Sequence, residues 1–108
     1  MDNIKAIEEF EALSTETRLE VFRLLVKAGP EGLAAGEIAE ELGVVQNTMS
    51  THLHKLARAG ILQSERRSRH IIYNVDFNTV RGLVLFLLED CCGSSAAVCA
   101  PVARSLTA

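Results

Sequence analysis

The stretch Gln46-Asn47-Thr48-Met49-Ser50-Thr51-His52-Leu53-His54-Lys55-Leu56-Ala57-Arg58-Ala59-Gly60 decides the fold. At about 100° per residue, Met49, Leu53 and Leu56 fall in one narrow stripe and must face a core. Asn47, Thr51, His54 and Arg58 fall nearly opposite, flanked by Ser50 and Lys55. A helix divided in this way has one dry side and one polar, basic side. His52 lies about 60° from the apolar stripe, which predicts boundary packing and not base contact. An ordinary solvated helix face has the same pattern, so this helix alone leaves contact with nucleic acid undecided.

The flanking segments add to it. Before the stretch, Gly43 breaks a shorter helix over 35–42 whose inner face is Ile38, Ala39 and Leu42. Two short helices joined by a glycine-containing turn are the sequence form of a helix-turn-helix. After Gly60 the period changes: 61–66 and 69–75 read as two strands, with Arg67 and Ser68 as the hairpin turn. Upstream, Ile4, Ile7, Phe10 and Leu13 make one apolar stripe on a first helix. Ser14 or Thr15 offers an N-cap for a second, through Arg18, Leu19, Phe22, Leu25 and Val26. Ala28-Gly29-Pro30-Glu31-Gly32 stops it. Asp76 or Asn78 caps a last helix that is apolar nearly all the way round, which calls for cover by a second subunit. The expected fold is mainly α with a β-hairpin wing, a winged helix-turn-helix.

A chain of 108 residues is one domain by size, and 48% hydrophobic residues argue against disorder of its body. The net charge of −3 argues against a nucleic-acid partner, but its distribution argues for one. Between Leu42 and Val75 the bases Lys55, Arg58, Arg66, Arg67 and Arg69 face the single acid Glu65. Three arginines at a hairpin tip gain nothing structurally from their like charge. They fit a wing on the phosphate backbone or in the minor groove. On the helix, the amides of Gln46 and Asn47 suit adenine, and the hydroxyls of Thr48, Ser50 and Thr51 suit several acceptors. Lys55 and Arg58 suit phosphates, and His54 completes the outward face. No signal peptide is visible, and the apolar run at 83–88 is too short to span a bilayer. A reducing, cytoplasmic setting is expected, where clustered cysteines mean metal binding or redox sensing and not a structural disulfide.

Leu13-Ser14-Thr15-Glu16-Thr17-Arg18-Leu19-Glu20-Val21 resembles the "L-x-x-x-T-R-L-x-I/V" signature of the ArsR (ArsR/SmtB) family of winged-helix metalloregulatory repressors. Gln46 through Leu56, with Ala59-Gly60-Ile61-Leu62, resembles that family's recognition-helix block, and the resemblance covers residues 5–92. It implies a homodimer packed through its first and last helices, bound to a two-fold operator and released by an inducer. The winged domain is expected over 1–92, and the small residues and Pro101 from Gly93 onward predict a flexible tail over 93–108. One departure is Val45, where the family often has serine.

Cys91, Cys92 and Cys99 are the only cysteines. Two inducer sites of the family have no counterpart: 36–42 holds no cysteine pair, and no histidine follows His70 to join Asp76. Glu89-Asp90-Cys91-Cys92, followed by Cys99, resembles the pattern of arsenic-responsive members. In a continuous helix Cys99 would sit about 10 Å beyond Cys92, but Gly93 can end the helix and let the tail return. Three thiolates without histidine fall short of a four-ligand zinc site. They match arsenic(III), which takes three sulfurs in a neutral pyramid, and antimony(III) fits alike. Cadmium or lead with Asp90 or Glu89 stays open, as does a thiol redox or persulfide sensor using Cys91, Cys92 and Cys99. No organic cofactor is expected. An enzyme is disfavoured, because thiols at a helix C-terminus are poor thiolates.

Overall fold

The computed structural model describes residues 2–89. Cys91, Cys92, Cys99, Asp90 and the tail at 93–108 therefore lie outside the described residues. Residues Asp2–Asp76 form one compact unit, and Phe77 begins a second.

Helix α1 (Asn3–Ala12) starts where the Asp2 carboxylate accepts the Lys5 N–H at 2.8 Å. Its inner side is Ala6, Glu9 and Ala12, while Ile4 and Ile7 stand 71% and 61% exposed and Phe10 is exposed with them. The apolar stripe read from the sequence thus exists, but it faces away from the unit's own core. Helix α2 (Glu16–Ala28) is capped by Thr15, whose hydroxyl accepts the Arg18 N–H. Its buried face is Arg18, Val21 and Leu25, whereas Leu19 and Val26 are exposed. A 3-10 turn at Gly29–Glu31 leads into strand β1 (Leu33–Ala34), which the sequence did not announce. Two residues running straight into a helix carry no alternation to detect.

Helix α3 (Ala35–Leu42) ends at Gly43 in the left-handed region. There the Gly43 N–H donates to the Glu40 carbonyl and the Val44 N–H to the Ala39 carbonyl. That double closure satisfies the last turn's carbonyls and aims the chain into helix α4 (Gln46–Arg58). Strands β2 (Leu62–Arg67) and β3 (His70–Val75) form the antiparallel hairpin, with its turn one residue later than expected, at Ser68 and Arg69. β1 pairs antiparallel with the other edge of β3, giving the order β1-β3-β2.

Val21, Leu25, Ile38, Met49, Leu53, Leu56 and Ile61 are fully buried, so α2, α3, α4 and the foot of the wing share one core. Each such side chain contributes about 1.5–3 kcal/mol when withdrawn from water. Three of them belong to α4, which fixes which way its polar face points. In the second unit, helix α5 (Phe77–Leu88) is strongly apolar, and its Phe77 and Leu87 are exposed.

Candidate nucleic-acid interface

Helix α4 presents Gln46, Asn47, Thr48, Thr51, His54, Lys55 and Arg58 to solvent, with Ser50 half-buried. Burial of Met49, Leu53 and Leu56 on its other side sets this rotation. Val45 occupies the N-cap with no side-chain hydrogen bond and stands 72% exposed. The hydroxyl that the family often places here is absent. Thr51 donates to the Asn47 carbonyl at 3.3 Å, which leaves its oxygen lone pairs as acceptors.

Arg66, Arg67 and Arg69 stand exposed at the wing tip. Alternation along β2 puts Arg67 on the same face as Glu65, and the two meet at 3.3 Å. Arg66, opposite Ile71, lies on the other face. Among the described residues, one of these arginines is partly neutralised and two have no acidic partner. Ser68 holds the turn at φ 58°, a left-handed conformation uncommon outside glycine.

The structure also assembles what the sequence had left apart. α1 and the C-terminal half of α4 enclose an open cleft of about 540 Å³, with Glu8 and Glu11 on one wall and Thr51, His54, Lys55 and Arg58 on the other. Lys55 Nζ lies 3.5 Å from Glu11 Oε1. His52 packs at the boundary, as its angle predicts, with Nδ1 3.2 Å from Arg18 Nη1. Burial, and then the Arg18 charge, push the His52 pKa down. The sequence placed Arg18 on the second helix without a buried role, although its spacing to Val21 and Leu25 is that of a buried face.

The helix-turn-helix domain family matches residues 13–65. An HTH-type transcriptional regulator of Bacillus subtilis is 40% identical over 68 residues, covering 63% of this chain and 66% of that protein. An HTH-type transcriptional regulator of Methanocaldococcus jannaschii is 31% identical over 85 residues, covering 79% of this chain and 93% of the relative. The chain belongs to the HTH-type transcriptional regulators. It is a DNA-binding regulator by fold and relationship, not an enzyme. The solved structure of an ArsR-like transcriptional regulator from Rhodococcus has a TM-score of 0.71 at 25% identity, covering 94% of this chain and 92% of that one. The regulator is therefore close in fold to the ArsR family.

Among the described residues of this regulator, no helix is long and apolar enough to cross a membrane. Nor does any cluster of three or more His, Cys, Asp or Glu side chains among them suit a metal ion. The thiol trio lies beyond them.

Proposed function

We propose that this regulator is a homodimeric repressor that holds a two-fold operator and releases it when arsenite, or antimonite, binds Cys91, Cys92 and Cys99. The observation that carries the DNA half is the exposed polar face of α4 beside the three-arginine wing tip. In this reading Gln46, Asn47, Thr48, Ser50 and Thr51 meet base edges. His54, Lys55, Arg58, Arg66, Arg67 and Arg69 meet the backbone or the minor groove. Exposed Ile4, Ile7 and Phe10 on α1, together with apolar α5, support pairing of two copies. Such pairing would place two α4 helices in successive major grooves, about 34 Å apart.

The input half rests on thiol number and chemistry. Residues 1–92 carry DNA binding and dimerisation, and the 93–108 tail brings Cys99 to the pair that follows α5. A reducing cytoplasm keeps the thiols free for a trivalent ion. A coupling of about 1–3 kcal/mol between the two sites would loosen the operator roughly 5- to 150-fold.

The test is arsenite titration into the protein–operator complex, with wild type and Cys99→Ser. Release by the wild type and retention by the variant is expected. Equal release by both removes the three-thiol site. Release by a persulfide donor but not by arsenite would assign the thiols to redox sensing.

A further inference from the structure

Arg18 is a guanidinium held only 8% exposed, and three helices meet on it. Its Nε donates to the Ala12 carbonyl at 2.7 Å, at the end of α1. Its Nη1 lies 3.2 Å from His52 Nδ1, on α4. A guanidinium has only donors, so Nδ1 must accept; His52 is then neutral, with its proton on Nε2. One imidazole lone pair thus joins the recognition helix to a guanidinium that also holds the end of α1.

Arg18 is the charged group that acts on this ring. Three acids on the other elements packed around α4 are engaged elsewhere. Glu11 of α1 meets Lys55, Glu37 of α3 accepts the Ala34 N–H, and Glu65 of β2 meets Arg67. Glu8 of α1 lines the cleft.

We propose that the Arg18–His52 hydrogen bond is a proton-operated latch on the recognition helix, and that His52 is a positioning residue holding α4 in its DNA-binding setting only while neutral. A proton taken from solvent occupies the Nδ1 lone pair. The ring then presents N–H and positive charge to a guanidinium that has nothing but the same, and the contact opens. Operator affinity falls on acidification. The inference rests on the DNA-reading face proposed above. Its sign is diagnostic, because positive charge added beside phosphates would strengthen binding instead.

The test uses the full-length protein and a DNA fragment selected from a random-sequence library, with affinity measured from pH 8 to pH 5 at constant salt. Wild type weakens below the His52 titration point, approaching tenfold per pH unit per protomer for one linked proton. His52→Asn puts an amide oxygen near the place of Nδ1 without a titrating proton. It binds within about threefold of wild type at pH 8 and loses the acid weakening. His52→Leu, with no acceptor, is weak throughout. Superimposable wild-type and His52→Asn profiles would overturn the latch.

A second arm needs no DNA. Ring nitrogen shifts should show the Nε2–H tautomer of His52, and α4 amides should shift at the His52 midpoint in wild type but not in His52→Asn. An Nδ1–H tautomer, or α4 amides that do not follow His52, overturns the latch as well. A wild type with no salt-sensitive DNA binding at any pH refutes the DNA-reading face alone, and this arm still decides the latch.

Discussion

Lys55, on the polar face of the recognition helix, is paired with Glu11 of α1 across 3.5 Å. Both side chains are largely exposed, so the pair adds at most about 1 kcal/mol to stability. Its larger consequence concerns DNA, since a phosphate must compete with Glu11 for the ammonium. Glu11→Gln should leave the melting temperature nearly unchanged and tighten binding to any duplex. The slope of log affinity against log salt should stay nearly the same, since Lys55 neutralises one phosphate in both proteins. An affinity unchanged by Glu11→Gln would show that Lys55 does not meet phosphate.

Asn47 and Arg69 separate base reading from backbone holding. Asn47→Ala should cost about 1–3 kcal/mol against the preferred base at one operator position and relax selection there. Arg69→Ala should weaken all duplexes alike and lower the salt slope by about one. Affinities over a set of single-base operator variants, at two salt concentrations, give both answers.

Gly32, just before β1, passes close to the backbone of β3. It sits at φ 66°, and a Cβ there would run into the Tyr73 carbonyl oxygen on β3. Gly32→Ala combines a positive-φ backbone conformation kept almost wholly for glycine with overpacking against rigid backbone, an expected loss of about 2–5 kcal/mol. Gly43, left-handed but with open space around it, should cost only about 1–2 kcal/mol on the same change. Urea midpoints of the two variants should rank in that order.

Glu9 is fully buried on α1, and neither carboxylate oxygen has a hydrogen-bond partner. Burial raises its pKa, opposed by Lys5 and aided by Glu8. The folded state therefore holds this proton more tightly than the unfolded chain does. The contribution to stability is greatest below the unfolded carboxylate range and is lost as pH rises through the raised folded value. Glu9→Gln should be more stable than wild type at neutral pH and should lack that decline. Urea unfolding from pH 4 to pH 8 checks the sign.

The winged helix-turn-helix was legible because its signals are local. Met49, Leu53 and Leu56 repeat at helical spacing, Gly43 and Gly60 punctuate, and the β-branched run before Asp76 changes the period. The polar face of α4 and the arginine tip followed from the same patterns. β1 was hidden because two residues have no period, and the Lys55–Glu11 pair because ion pairs between helices leave no mark in spacing.

Local chemistry thus told where helices start, which sides are apolar and where positive charge gathers, since each depends on neighbours within a few residues. The fold alone decided which groups Arg18 meets, that His52 Nδ1 stands against its guanidinium, and that acids from α1 stand against α4. Those outcomes join positions as far apart as residues 18 and 52. They depend on which surfaces the shared core brings together, and burial then sets what charge each group can carry.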